Sequence, residues 1–134
     1  MMPPVELYNS SFATLWYHPD KKIVHHQIHK FIYGEEFHRM LLTGTEAIQK
    51  NHAHKWLSND RSNAVLRKED IEWGMVNWLP QTVQAGWKYW AIVQPEKMIA
   101  QMNMESLVEE YAKVGIVAHF FTDEALAMQW LESQ

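Results

Sequence analysis

Residues 87–93 read WKYWAIV and residues 116–121 read IVAHFF, two apolar segments that are separated by a helical pattern. The apolar face of this helix is formed by four residues, Leu107, Val108, Tyr111 and Ala112. Gly115 follows, at a place where a residue in the left-handed conformation commonly ends a helix. A strand, a helix and a strand in this order predict a right-handed crossover between parallel strands of one sheet. The second strand is apolar almost throughout, which predicts that both of its faces are covered.

Strands and helices also alternate on the N-terminal side of this unit. A period of three to four residues predicts a helix over 35–50, and a short strand follows at 53–58. Residues 59–67 show no regular period and are predicted to form a loop. A second helix runs over 68–79 and ends or restarts at Pro80, because proline lacks the amide hydrogen that a helix interior needs.

Two further strands are predicted at the beginning of the chain, over 12–17 and 23–29. The turn residues His18-Pro19-Asp20-Lys21 lie between them and predict an antiparallel hairpin. Gly86 is placed to end the second helix, and Thr122-Asp123 to begin a last one. The resulting order is β-β-α-β-α-β-α-β-α. It defines a single α/β domain over residues 1–134, with a mixed sheet of about five strands and about four helices.

The composition narrows the range of functions. The chain has 134 residues, a formal net charge of −4, 47% hydrophobic residues and no cysteine. Mild negative charge gives no basis for nucleic-acid binding, and the lack of cysteine excludes disulfides, thiolate metal sites and a cysteine nucleophile. The N-terminus lacks the pattern of a signal peptide, and no apolar run approaches the ~20 residues that span a bilayer. We therefore expect a soluble, cytoplasmic protein without a cofactor.

Three segments, taken together with the hairpin, resemble a known family. They are Lys55-Trp56-Leu57-Ser58-Asn59-Asp60-Arg61, then Glu72-Trp73 through Trp78-Leu79-Pro80, and Phe121-Thr122-Asp123-Glu124-Ala125 through Trp130-Leu131. In this order they resemble the SpoIIAA-like branch of the STAS domains (sulfate transporter and anti-sigma-factor antagonist). The resemblance implies a mixed sheet backed by helices, an architecture shared with the CRAL-TRIO lipid-binding domains. It also implies a regulatory or ligand-binding module rather than an enzyme.

The same resemblance implies one modification site. In the anti-sigma-factor antagonists, a serine at the start of the helix after the third strand is phosphorylated. The matching segment here runs from Ser58 to Asn63, and Ser62 is the residue that it offers for phosphorylation.

The loop Asn59-Asp60-Arg61-Ser62 is the first candidate binding site. It follows a strand predicted to be parallel, and ligands of open α/β sheets bind beyond the carboxyl ends of such strands. The alternative is that Asn59 and Asp60 only satisfy turn amides while Arg61 forms a surface ion pair. The expected occupant is a regulatory protein partner or a small apolar or lipid ligand.

Trp73 and Trp78 extend the candidate site onto the second helix. Five positions apart, they diverge by about 140° on a regular helix, so one of them is expected to be partly exposed or to line a cavity. Such a helix also suits a homodimer contact. Met98, Met102 and Met104, which stand in a stretch without a regular pattern, either form the lid of an apolar pocket or fill gaps in the core.

A small histidine- or metal-dependent enzyme of hydrolase type is the alternative function. On strands, His25 and His29 share one face, and His52 and His54 share a face of the next strand, so that four imidazoles could converge on a metal. No Gly-x-Ser-x-Gly nucleophile elbow and no His-Glu-x-x-His helix accompanies them, and we expect no catalytic residue.

Overall fold

The computed structural model describes residues 2–134, which form a mixed six-stranded sheet in an α/β arrangement. The strands lie side by side in chain order, β1 to β6. The first three are antiparallel, and β3 to β6 are parallel. Their bounds are β1 Val5–Asn9, β2 Ala13–His18, β3 Ile23–Ile28, β4 Lys55–Asn59, β5 Tyr89–Val93 and β6 Val117–Phe121.

Five α-helices connect and follow the parallel strands. Their bounds are α1 Gly34–Asn51, α2 Lys68–Trp73, α3 Leu79–Ala85, α4 Met98–Ala112 and α5 Glu124–Glu132. A turn of π-helix, Gly74–Trp78, joins α2 to α3, so that Pro80 stands in the first turn of a restarted helix. Within residues 2–134, no helix has the length and apolar character required to span a membrane.

The direction of the crossovers explains how the layers are arranged. Each parallel strand is added on the same side of its predecessor, and right-handed crossovers then place all connecting helices on one face of the sheet. The larger core accordingly joins residues of α1, α3 and α4 to that face, with Trp56, Trp78, Trp87 and Trp90 at its centre. The opposite face holds a smaller core under α5.

The predicted turns and caps are confirmed. His18 pairs with Ile23 across the β2–β3 hairpin, as the Pro-Asp turn requires. Gly86 caps the end of α3 with φ +124°, and Gly115 follows three residues after the end of α4 with φ +96°, conformations in which glycine carries no side-chain penalty. Asp123 caps α5, because its Oδ1 accepts a hydrogen bond from the amide of Ala125 at 2.7 Å.

The predicted α/β class, with a mixed sheet of about five strands, is confirmed, and the sheet has one further strand: Val5–Asn9 pairs with β2 at the edge, across a register shift between Glu6 and Tyr8. One expectation about the helices is corrected. The stretch around Met98 and Met102 is not irregular but forms the first two turns of α4. Both residues are exposed there, so the apolar stripe that normally identifies a helix is blurred.

The last strand is also less buried than predicted. Because the strand order follows the chain order, β6 lies at the edge of the sheet, with β5 as its neighbour. Its residues are exposed or half-buried, and Val117 keeps 40% of its surface exposed. A continuous apolar run therefore does not indicate coverage on both faces here.

Candidate functional site

A cavity of about 50 Å³ lies on the face of the sheet that α1 to α4 cover, at the carboxyl ends of the parallel strands. Its walls are apolar and come mainly from α1, the π turn and α4: Phe37, Leu41, Leu66, Trp78, Met104 and Leu107. Its polar lining comes from six residues, His26, Ser58, Asp60, Asn63, Asp70 and Tyr111. An apolar lining with a few polar groups is typical of a small-molecule site.

The central polar contact is a buried hydrogen bond between His26 Nε2 and Asp60 Oδ1, 2.8 Å long. The indole Nε1 of Trp56 donates to the other ring nitrogen, Nδ1, at 3.0 Å. An indole N–H can only donate, so Nδ1 must accept and the ring proton must sit on Nε2. His26 is therefore held as a neutral imidazole that donates to Asp60.

This arrangement limits the chemistry of His26. A general base needs a free lone pair aimed at the proton it removes. Both ring nitrogens of His26 are engaged, one by Trp56 and one by Asp60. Ser58 lies beside them, but the three side chains do not form a nucleophilic triad, because His26 has no nitrogen left for the serine proton.

Ser58 and Tyr111 bring hydroxyl groups to the same cavity. Trp90 Nε1 donates to Ser58 Oγ at 2.8 Å, which leaves the Ser58 proton available. The hydrogen bonds within residues 2–134 include none from the Tyr111 hydroxyl, and burial raises the pKa of Tyr111 well above its ordinary value. Both hydroxyls are thus neutral groups that can donate and accept.

Asp70 closes the cavity on the side of α2, and its own charge is already compensated. Its carboxylate oxygens accept from Arg67 Nε at 3.1 Å, His38 Nε2 at 2.9 Å and the amide of Gly34 at 3.2 Å. Burial by itself raises the pKa of Asp70, but these donors and the Arg67 charge outweigh it and hold the pKa below its ordinary value. Asp70 thus joins the start of α1 to the start of α2.

The predicted loop residues point in different directions. Strand alternation sends Ser58 and Asp60 into the cavity and sends Asn59 through to the other face, where its amide donates to Glu124. Arg61 is exposed and pairs with Glu96 at 3.2 Å, and Ser62 is exposed beside it. Only Asp60 of the four lines the cavity.

The two tryptophans of the second helix also separate. Trp78 is buried and lines the cavity, and its indole N–H donates to the carbonyl of Leu41. Trp73 is half-buried and stacks on His38, with the ring centroids 3.8 Å apart. Among the three methionines, Met104 alone lines the cavity.

The four histidines of the metal hypothesis do not come together. His52 ends α1 in the left-handed conformation and His54 precedes β4, so neither lies on a strand. His25 lies on the α5 face beside His18, at 3.1 Å between ring nitrogens, and His29 instead contacts Thr14. Across residues 2–134, no three histidine or acidic side chains are grouped closely enough to hold a metal ion.

Sequence reasoning missed His26, Asn63 and Asp70. A signal for His26 was present, since it stands between Val24 and Ile28 on the apolar face of a strand, where a polar residue needs a buried partner. Asp70 carried no comparable signal. It begins a helix, a position where an acidic residue normally only favours the helix dipole.

Comparison with protein-family models, with curated proteins and with solved structures gives no significant match for this chain.

Proposed function

We propose that this protein is a non-enzymatic ligand-binding module, similar to the SpoIIAA-like STAS domains, that takes a small and largely apolar molecule into the His26–Asp60 cavity. The observation that carries the proposal is the cavity itself. It combines apolar and aromatic walls with a few polar groups at the carboxyl ends of parallel strands.

The polar groups support a bound molecule because their hydrogen-bonding capacity is only partly used. Ser58 accepts from Trp90 but has no acceptor for its own proton within residues 2–134, and Asp60 uses only Oδ1. Buried polar groups are nearly always paired with protein, water or ligand. A ligand with one polar end and an apolar body satisfies both parts of this cavity.

The π turn offers a route from ligand binding to regulation. Its first and last residues, Gly74 and Trp78, both line the cavity, while Val76 between them is 73% exposed. A π turn is rare and is commonly found at functional sites. A ligand that displaces this turn changes the exposed surface that a partner protein would contact.

The alternative function, a histidine-dependent hydrolase, is less well supported by the same residues. It needs a histidine that can accept a proton from a nucleophile or from water. The only histidine that lines the cavity, His26, has both ring nitrogens engaged.

Gly74→Ala tests the site without disturbing the fold. A methyl group at this position enters the cavity, and its nearest neighbour is Tyr111 Oη at 3.4 Å, an ordinary contact distance. Alanine is favoured over glycine inside a helix by roughly 0.5–1 kcal/mol, so we expect an equal or higher melting temperature. Binding of 1-propanol, followed by the indole N–H signals of Trp56 and Trp90 in NMR titrations, should weaken at least fivefold.

Val76→Ala is the matched control, because it changes an exposed side chain of the same turn. It should leave propanol binding unchanged. Equal binding by Gly74→Ala, Val76→Ala and the original protein would show that the cavity is not the site. Native mass spectrometry after organic extraction then identifies any molecule that purifies with the protein.

A further inference from the structure

Asp60 brings a negative charge into the cavity, and among residues 2–134 no cationic side chain balances it. The Asp60 residue is only 7% exposed, and its one side-chain partner, His26, is the neutral tautomer fixed by Trp56. Within residues 2–134, only Oδ1 of this carboxylate receives a hydrogen bond, so Oδ2 is free to accept one. Burying a carboxylate without a positive partner is costly.

The other charges nearby do not supply the missing cation. Asp70 also lines the cavity, but Arg67 and His38 bind its oxygens from the side of α1 and α2. Arg61 follows Asp60 in the chain and turns outward to Glu96. The cavity therefore keeps an excess of negative charge.

The aromatic walls of the cavity also favour a cation. Trp78, Trp90, Tyr111 and Phe37 contribute aromatic rings to the lining. The face of an aromatic ring attracts a cation, and this attraction grows when water is excluded. The oxygens of Ser58, Asp60 and Tyr111 can each accept an N–H hydrogen bond.

We infer that the polar end of the ligand is a small organic ammonium group, a conclusion that rests on the proposed binding function. The ammonium group would donate to Asp60 Oδ2 and to the Ser58 and Tyr111 hydroxyls, while its alkyl part packs against the aromatic walls. A carboxylate or phosphate of the same size would be repelled by the uncompensated charge of Asp60.

Three probes of matched shape test the charge preference on the unmodified protein. Propylammonium, 1-propanol and propanoate differ only in their polar end. So few non-hydrogen atoms limit the affinity to roughly the millimolar range. NMR titrations that follow Trp56 and Trp90 should show propylammonium binding at least tenfold more tightly than 1-propanol, and no binding of propanoate.

Asp60→Asn keeps an oxygen for His26 to donate to and removes the charge, with an NH2 group in place of Oδ2. It should abolish the preference for propylammonium while leaving 1-propanol binding intact. Glu96→Gln is the control, because Glu96 is a largely exposed carboxylate that contacts the same loop outside the cavity lining. It should leave the preference unchanged.

The outcomes separate the two proposals. If 1-propanol binds as tightly as propylammonium, the ammonium inference is wrong and the binding function stands. If none of the three probes moves the signals of Trp56 and Trp90, the binding function itself is wrong. The probe series gives this answer on the unmodified protein even if Asp60→Asn fails to fold.

Discussion

Replacing Gly44 by alanine should lower the free energy of unfolding by about 3 kcal/mol, at the upper end of the usual cost of overpacking a core. Gly44 lies on the buried face of α1, and a methyl group there would stand 2.1 Å from Cη2 of Trp56. The Trp56 ring cannot simply move, because it packs against Trp78 and Trp87 and its N–H holds His26. Urea unfolding followed by circular dichroism measures the loss.

Gly74→Ala is the matched control for this prediction, since its new methyl group meets an ordinary contact at 3.4 Å instead of an overlap. In a Trp56→Leu background, where the ring is gone, Gly44→Ala should cost much less, and the double-mutant cycle gives the coupling between the two positions. An unchanged stability of the Gly44→Ala single variant would mean that α1 does not lie as close to β4 as described.

Gly44 also illustrates what periodicity can and cannot predict. Its place on the buried face of α1 follows from its spacing to Phe37, Met40, Leu41 and Ile48, which recur at helical intervals. That the face needs a glycine at this position follows from the size of Trp56, a residue on another element. Local sequence is enough to predict helix α1 and its buried face. The close approach of α1 to Trp56 depends on tertiary packing.

The sequence predicts the buried strands of the sheet better than its edge strands. β2 to β5 were predicted because their residues are buried by the sheet and its helices, and buried strands are rich in apolar and β-branched residues. β1 was missed because it is a short edge strand with mostly exposed side chains and a shift in register. β6 was predicted as a strand, but its apolar residues gave no information on its place at the edge.

The position of Asp60 in the candidate site could be predicted from the sequence, but its partners could not. The carboxyl end of a parallel strand is a fixed feature of α/β sheets, and it directed attention to Asp60. The contacts around Asp60 depend on the register of two neighbouring strands. His26 of β3 lies opposite Ser58 of β4, and Trp56 of β4 reaches His26 from a diagonal position. No spacing along the chain reveals such a register, since Trp56 and Asp60 are thirty and thirty-four residues from His26.

The second large effect is expected from Asp70→Asn, which should lower the free energy of unfolding at pH 7 by about 2 kcal/mol. Asp70 has 1% of its side chain exposed and accepts hydrogen bonds from Arg67, His38 and the amide of Gly34. Asparagine keeps one acceptor oxygen, but it places an N–H group against a donor and removes the negative charge that Arg67 contacts at 3.1 Å. Urea unfolding at pH 7 measures the difference.

The pH dependence of this difference identifies its cause. Because the pKa of Asp70 is lower in the folded protein than in the unfolded chain, the unfolded state binds more protons between the two values, and stability there rises with pH. The contribution of Asp70 is complete above its unfolded pKa of about 3.9 and is lost as the pH falls through its folded pKa. The stability curves of the original protein and of Asp70→Asn should therefore converge between pH 5 and the lowest accessible pH, on the order of pH 2.

Glu69→Gln, which removes an exposed carboxylate from the same helical turn, should give a curve parallel to that of the original protein. A constant gap between the curves of the original protein and Asp70→Asn would mean that packing, rather than the ionised carboxylate, holds the starts of α1 and α2 together.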